Sequence, residues 1–468
     1  MSAGPLPVSS ESPHASPALA SLRSERLFGP SRPFARRAEV GPPDLKGGAE
    51  VSEHRLRNGM RVFVAERRAD PVVAVLLFYK VGSRNEREQE AGVSHFLEHL
   101  MFKGTQRIGK GEVDRITTEL GGQNNAFTGN DHTAYWFELA SDRWEAALDI
   151  EADRMQGLLL DPDEFEAERA VVLEELSMGE DDPWRVLAKA VEAGVFPRHP
   201  YGRPIIGFEE SLQHMGVEDV REYFARFYHP GNATFVICGD VSPAAALRAV
   251  RKRFGKMPAG PSYAEADSFR LPVSEPLGEQ RLTMRWDDAG RRLCMAWPTV
   301  KVGTDEDYAL DLLSSILTSG RTSRLQRRLV HDARLATSVS TSNDTRVDGG
   351  LFWLFAECAH GIDPSALEAA IDEEFARLAS EKPSAAELKR AQAMILSSEA
   401  YESETVSDLA EDLGGYAVDA DWRMALDGCE RYRAVKAPAL REVSARLLVP
   451  ERRVVGWSLP RAEEGAKA

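Results

Sequence analysis

The chain has 468 residues, of which 43% are hydrophobic and 28% are charged, a composition typical of a globular protein with more than one core. Its net charge of −16 argues against a general affinity for nucleic acid or for an anionic membrane surface. No apolar run reaches the roughly 18 residues that a membrane span requires, so we expect none. The four widely spaced cysteines form no CxxC pair, which argues against a disulfide framework.

The first 45 residues are rich in Ser, Pro, Ala and Arg and lack the apolar segment of a signal peptide. We interpret residues 1–45 as a disordered tail and expect a cytoplasmic location. The arginines of SLRSERLFGPSRPFARR leave a transit peptide as an alternative, although Glu11, Glu25 and Glu39 interrupt that pattern.

The next segment alternates predicted strands and helices. RLRNGMRVFVAER predicts two strands around Asn58-Gly59, and PVVAVLLFYKVG predicts a buried strand. A helix is predicted between Gly92 and Gly104. Two strands are expected around the Gly-Asn-Asp turn of NNAFTGNDHTAYWFELA. Two helices follow in RWEAALDIEADRMQGLLL and DEFEAERAVVLEELSM, and NATFVICGDVSP contains a further strand.

A proline-rich stretch divides the chain. Residues 256–280 contain four prolines without clear periodicity, which predicts a linker, with a long surface loop as the alternative. The expected domains are therefore residues 46–255 and 281–460. RRLCMAWPTVKVG resembles PVVAVLLFYKVG, and the helix DYALDLLSSILTSG that follows it has no histidine. This similarity indicates an internal duplication in which only the first copy keeps a polar site.

That polar site is HFLEHLMFKGT, an apolar run interrupted by two histidines and a glutamate. On a helix, His95, Glu98 and His99 lie within an arc of roughly 100°, opposite an apolar side. Imidazoles at positions i and i+4 can both reach one metal ion. A single histidine would more often be a hydrogen-bonded core residue, but three such groups on one face predict a reaction centre.

Catalytic zinc usually has three protein ligands, so a carboxylate from another helix is expected. In DEFEAERAVVLEELSM, Glu168 and Glu175 are seven residues apart and share a partly apolar face. We expect Glu175 to be the third ligand and Glu168 its supporting carboxylate, although the spacing also allows Glu174. Glu98 is then suited to take a proton from a water molecule that the metal activates. A structural zinc site with four protein ligands is the alternative.

With these residues the chain resembles the pitrilysin family of HxxEH metallopeptidases, the inverzincins, which includes insulin-degrading enzyme and the mitochondrial processing peptidases. The resemblance covers about residues 45–460. It is carried by the HxxEH motif and by the segments LMFKGT, GGQNNAFTGNDHTAYWFEL, ERAVVLEELSMGEDDP, HPYGRPIIG, FYHPGNATFVICGD and TSGRTSRLQRRL. It implies Zn²⁺ as the cofactor, bound by His95, His99 and Glu175, with Glu98 as the general base and Glu168 in support.

The resemblance also implies a substrate-binding strand. Asn125 and Ala126 would lie at an edge strand that pairs with the backbone of an extended peptide, and Tyr135 would be a further substrate contact. From the residues alone, Asn125 reads as a strand-end or turn residue and Tyr135 as an ordinary strand aromatic.

The implied fold is α+β, with two homologous domains that each pack helices on an antiparallel-rich sheet and together form one half of a clam-shell chamber. A second chain is then implied, either an identical copy or a catalytically silent paralogue. Related second domains often carry an arginine and a tyrosine that grip substrate, where this chain has Val330 and Thr337. This departure favours a partner that supplies those groups.

The function expected is that of a zinc-dependent endopeptidase acting on extended or unfolded peptides. The alternative is a non-catalytic scaffold or chaperone-like subunit of a heterodimeric processing peptidase. Such subunits tend to lose the histidines or the base, which this chain retains. Maturation of one small peptide is a third hypothesis, which the sequence does not separate from general degradation.

Overall fold

The computed structural model describes residues 50–263, Val273 and residues 278–461. The predicted tail of residues 1–45 lies outside the described residues, as does most of the predicted linker, residues 264–272 and 274–277. None of the helices in the described part of the chain combines the length and the apolar character that crossing a membrane requires.

The first half forms a mixed sheet in the order β1-β2-β6-β3-β5-β4. Its strands, in chain order, are β1 (Glu50–Arg55), β2 (Arg61–Glu66), β3 (Val72–Tyr79), β4 (Gln123–Thr128), β5 (Thr133–Ala140) and β6 (Ala233–Gly239). The predicted hairpin is confirmed, because β1 pairs with β2 in antiparallel fashion around Gly59, whose φ of 91° suits glycine. Among the described strands, β4 lies at the edge of the sheet and pairs with β5 alone.

Helices cover this sheet and connect its strands. They are α1 (Val93–Leu100), α2 (Glu112–Glu119), α3 (Glu145–Gly157), α4 (Pro162–Glu180), α5 (Pro183–Val195), α6 (Glu209–His214), α7 (Val217–Phe227) and α8 (Pro243–Phe254). The first of these ends earlier than predicted, at Leu100 instead of near Gly104. The backbone tightens at this point, because Phe102 N–H donates to His99 and Lys103 N–H donates to Leu100, each three residues back.

The second half repeats the sheet of the first, with strand order β7-β11-β8-β10-β9. In the first sheet, β6 lies between β2 and β3, parallel to β2 and antiparallel to β3. In the second sheet, β11 lies between β7 and β8, parallel to β7 and antiparallel to β8. The strands are β7 (Gln280–Trp286), β8 (Arg292–Pro298), β9 (Ala336–Asp344), β10 (Leu351–Cys358) and β11 (Val454–Pro460). The shared topology agrees with two homologous α+β domains.

The helices of the second half are α9 (Asp305–Thr318), α10 (Pro364–Ser380), α11 (Ala385–Glu402), α12 (Val406–Asp419), α13 (Met424–Ala434) and α14 (Ala437–Leu447). Two helices are exchanged between the halves. From the second half, α12 packs Leu409 and Leu413 on the face of the first sheet that carries Phe78. From the first half, α5 packs Leu187 and Val191 on the second sheet. Each sheet therefore buries one face against a helix of the other half.

Candidate metal centre

The helix α1 begins at a buried carboxylate cap. Glu86 accepts hydrogen bonds from the backbone N–H groups of Gly92 and Ser94, both at 2.9 Å. A carboxylate at this end satisfies N–H groups that lack a partner within the helix and interacts favourably with its dipole. The cap and the apolar side of α1, which enters the first core, fix the direction in which the histidines point.

The structure brings His95, His99 and Glu175 together. Oε2 of Glu175 lies 3.8 Å from Nε2 of His95 and 3.6 Å from Nε2 of His99, and all three donor atoms lie within 4.8 Å of one another. In a tetrahedral zinc site with bonds of about 2.0–2.1 Å, donor atoms are roughly 3.3 Å apart. The three side chains therefore fit a zinc ion with small movements of their ends. Glu174, the alternative ligand, is exposed on the outside of α4 and does not belong to this group.

The ring of His95 is suited to be a neutral ligand. Its Nδ1 atom is buried and, among the described residues, has no hydrogen-bond partner. Burial lowers the pKa of His95 to about 3, with smaller contributions from His99 and from the positive charge of Arg185. The imidazole is therefore neutral near pH 7 and keeps a lone pair for a metal.

His99 is oriented by Glu168, whose Oε1 lies 2.8 Å from Nδ1 of the ring. Burial lowers the pKa of His99, but the hydrogen bond to Glu168 and the charges of Glu98, Glu168 and Glu175 outweigh burial and raise it. The other oxygen of Glu168 lies 2.5 Å from Nζ of Lys103. Burial raises the pKa of Glu168, and the hydrogen bonds of His99 and Lys103 outweigh that effect and lower it.

Glu98 lies beside the three ligand side chains without being one of them. It is buried, and its Oε2 accepts a hydrogen bond of 2.5 Å from the hydroxyl of Thr128 at the end of β4. Burial raises the pKa of Glu98, while the Thr128 hydrogen bond and the charge of His99 oppose that rise. A raised carboxylate pKa moves the group towards the pH at which a general base works best.

Thr128 and Lys103 were not predicted from the sequence as functional residues. Both lie in the quoted motif segments, but their contacts join separate elements. Thr128 follows Glu98 by 30 residues, and Glu168 lies 65 residues beyond Lys103 in the chain, so no local spacing rule connects the partners.

The three predicted substrate contacts lie in different environments. Asn125 is exposed on the edge strand β4, where its Oδ1 accepts the backbone N–H of Ala126 at 2.9 Å. The side chain of Ala126 is buried in the first core, which leaves its backbone as the part near the open edge. Tyr135 is fully buried, in edge contact with Tyr79, so its side chain presents no surface to a substrate in this structure. Alternate residues of β5 face the helix layer, and Tyr135 is one of them.

Val330 and Thr337 lie in the second half. Val330 is half-buried and packs against the second core, from a π-helical segment, Gln326–Asp332. Thr337 is exposed on the edge strand β9, and its hydroxyl lies 3.4 Å from the side chain of Glu357. Neither side chain offers the charge or the phenol expected of a substrate grip.

Two family models match the chain. The model described as Insulinase (Peptidase family M16) matches residues 61–209, which include the metal-site residues, and the one described as Peptidase M16 inactive domain matches residues 214–395. Together they cover most of the described part of both halves.

Several curated bacterial proteins are similar to the chain. An uncharacterized zinc protease of Mycobacterium tuberculosis is 32% identical over 324 residues, which cover 68% of this chain and 72% of that protein. The zinc protease PqqE of Helicobacter pylori is 29% identical over 397 residues, covering 83% of this chain and 88% of that protein. The uncharacterized zinc protease YmxG of Bacillus subtilis is 29% identical over 306 residues, covering 65% and 73%.

Solved structures share the fold. The crystal structure of a protease from Helicobacter pylori superposes with a TM-score of 0.84 at 26% identity, covering 88% of this chain and all of that chain. A structure of a peptidase M16 inactive domain from Pseudomonas fluorescens has a TM-score of 0.80 at 17% identity, covering 88% of this chain and 98% of that one. At that level of identity the second likeness concerns the fold alone.

Proposed function

The chain belongs to peptidase family M16, and from that premise we propose that it is a zinc-dependent endopeptidase that hydrolyses extended or unfolded peptides. The observation that carries the proposal is the arrangement of His95, His99 and Glu175 around one point, with Glu98 beside them. Across residues 50–263 and 278–461, no fourth His, Cys, Asp or Glu donor joins this group. Three ligands and an adjacent base are typical of a catalytic zinc site, whereas a structural site has four protein ligands.

The residues of the chain divide the chemistry among them. A zinc ion bound by the three ligands would supply Lewis acidity, which polarises the scissile carbonyl and makes water a stronger acid. Glu98 takes the proton of the attacking water and returns it to the nitrogen of the leaving amine. Glu168 keeps His99 oriented, and Thr128 holds the carboxylate of Glu98 in place.

The edge position of β4 favours an extended peptide as the substrate. In the described part of the chain, no strand pairs with the outer side of β4, and its last residue, Thr128, contacts Glu98. A peptide that adds to this edge is held by main-chain hydrogen bonds largely regardless of its sequence. Its backbone then runs past the base and the metal ligands.

Retention of both histidines, the third ligand and the base supports a peptidase over the non-catalytic subunit. The test is zinc content and turnover of an unstructured quenched-fluorescence peptide, measured on the wild type and on Glu98→Gln. We expect about one zinc per chain in both proteins and a loss of turnover of at least a hundredfold in the variant. Full turnover by Glu98→Gln would refute the assigned base. Zinc without turnover in the wild type would keep the proposed site and point to a missing partner chain, whereas no bound zinc would favour the non-catalytic subunit.

We also propose that the active form contains a second chain of the same family. The support is that Val330 and Thr337 occupy positions where related second domains often carry substrate-gripping groups. Sedimentation of the purified protein, with turnover measured across the same concentration range, tests this proposal. A monomer with full turnover would contradict it.

A further inference from the structure

Lys103 contacts the metal site through Glu168. Its Nζ lies 2.5 Å from Oε2 of Glu168, and Oε1 of the same carboxylate lies 2.8 Å from Nδ1 of His99. The carboxylate is almost completely buried. One of its oxygens contacts an ammonium group, and the other contacts an imidazole. The HxxEH pattern does not include this lysine.

Hydrogen bonds tie the backbone around Lys103 to α1 and to the segment before α4. The N–H of Lys103 donates to the carbonyl of Leu100 in α1 at 3.0 Å. The carbonyl of the next residue, Gly104, accepts the N–H of Leu159 at 3.1 Å, shortly before α4 begins. The backbone of Lys103 is therefore tied to α1, and that of its neighbour Gly104 to the segment that leads into the helix of Glu168.

We propose that Lys103 is a positioning residue of the zinc site, acting on His99 through Glu168. A carboxylate buried to this extent needs a compensating charge, which Lys103 supplies. By occupying Oε2, Lys103 also leaves Oε1 directed at His99. Nδ1 of His99 then donates to Glu168, and Nε2 keeps its lone pair for zinc. The inference rests on the zinc site of the proposed function.

The neighbouring pair Lys110–Glu164 provides a matched comparison. Glu164 lies one turn before Glu168 on the same helix, and Nζ of Lys110 is 2.6 Å from its Oε2. The side chain of Lys110 is 56% exposed and that of Lys103 is 22% exposed. Among the described residues, no histidine forms a hydrogen bond or an ion pair with Glu164. An exposed pair of this kind contributes little. If Lys103 were an ordinary surface lysine, the two lysines would behave alike on substitution.

The test is the zinc affinity of the full chain, measured by competition with a chromophoric chelator after metal removal. We expect Lys103→Met to weaken zinc binding roughly tenfold, in the range found for groups that support metal ligands. Glu168→Gln should weaken it at least as much. The double variant should bind no more weakly than Glu168→Gln alone, because both changes break one linkage. Lys103→Arg should retain most of the zinc affinity of the wild type, and Lys110→Met should leave that affinity unchanged.

Unchanged affinity in Lys103→Met, or losses that multiply in the double variant, would overturn the inference. Should Lys103→Met fail to fold, Lys103→Gln is the second variant, and thermal unfolding of the metal-free proteins identifies any general loss of stability. The expected affinities would support the role of Lys103 even if the chain showed no peptide turnover, so a failure of the proposed peptidase is distinguishable from a failure of this inference. A wild type that binds no zinc would overturn both.

Discussion

In the proposed site, His99 and Glu98 each depend on a neighbour outside the HxxEH pattern. His99 is oriented by Glu168, and His95 is kept neutral by burial and by the charges around it. The base Glu98 is held by Thr128. The chemistry of the site is therefore distributed over α1, α4 and β4, and single substitutions should separate the roles.

The assignment of the third ligand predicts opposite behaviour for two adjacent glutamates. Glu175→Gln should lose most of the bound zinc, because only Glu175 faces the two imidazoles. Glu174→Gln should keep it, because Glu174 is exposed and points about 100° around the helix from Glu175. Metal analysis after dialysis measures both. Zinc retained in Glu175→Gln and lost in Glu174→Gln would reverse the assignment.

Glu86 predicts a pH dependence of stability. Burial raises its pKa to about 7, against the hydrogen bonds from Ser94 and Gly92. A carboxyl group whose pKa is higher in the folded than in the unfolded state stabilises the fold below the unfolded pKa of 4.5, and that contribution is lost as the pH rises through about 7.

The corresponding variant is Glu86→Gln, which cannot titrate. Relative to it, the wild type should lose free energy of unfolding between about pH 4.5 and 7, at up to about 1.4 kcal/mol per pH unit, and level off above about pH 7. Urea unfolding at several pH values, with zinc removed, measures the difference. A difference that stays constant across this range would contradict the prediction.

Among the elements, β4 links the sheet to the reaction centre. Ala126 N–H bonds to the side chain of Asn125 and not across the ladder, so it faces away from β5. Neighbouring residues of a strand point their N–H groups to opposite sides, so that of Phe127 faces β5. One side of β4 therefore stabilises the fold. On the other side, a substrate strand would take the place of Asn125 as the partner of the Ala126 N–H.

Proline substitutions should separate these two sides. Ala126→Pro removes an N–H from the open edge, where proline is tolerated. We expect it to fold and to raise the KM for extended peptides severalfold, because a main-chain hydrogen bond to substrate is lost. Phe127→Pro removes a ladder hydrogen bond and should lower the melting temperature strongly. An unchanged KM in Ala126→Pro would argue against strand addition at β4.

Across the whole molecule, the exchanged helices α5 and α12 join the halves. A buried ionic network adds to this link, since Arg84 lies 2.9 Å from both Asp131 of the first half and Asp348 of the second. The metal centre, which belongs to the first half, therefore rests on a sheet whose opposite face is completed by the second. We expect the stability of the first half to depend on the packing of α12.

Two adjacent glycines of α12 test that dependence. A Cβ atom added to Gly414 would lie 2.0 Å from the ring of Phe78 in β3, whereas one added to Gly415 would meet nothing within 4 Å. Gly414→Ala should therefore destabilise the protein by about 1–3 kcal/mol through overpacking. Gly415→Ala should be neutral or stabilise it by about 0.5–1 kcal/mol, because alanine favours a helix. Chemical denaturation measures both, and equal effects would contradict the close packing of α12.

The sequence by itself predicted the helix face that carries His95, Glu98 and His99, and the elements around it. His95, Glu98 and His99 share a helix face because of a fixed helical period, and the strands β3 and β6 follow from runs of apolar residues. These are local properties, set by backbone geometry within a few residues. For the same reason the sequence left the choice between Glu174 and Glu175 open, since both are compatible with one helix.

Only the tertiary structure decided what depends on contacts between distant segments. It directed Glu175 towards the imidazoles, brought Lys103 and Thr128 to the carboxylates of the site, buried Tyr135 and exchanged α5 with α12 between the halves. The physical reason is that packing two sheets and their helices selects one arrangement from many that satisfy the same local patterns. The partners that hold each functional side chain in place therefore become visible only when the chain is folded.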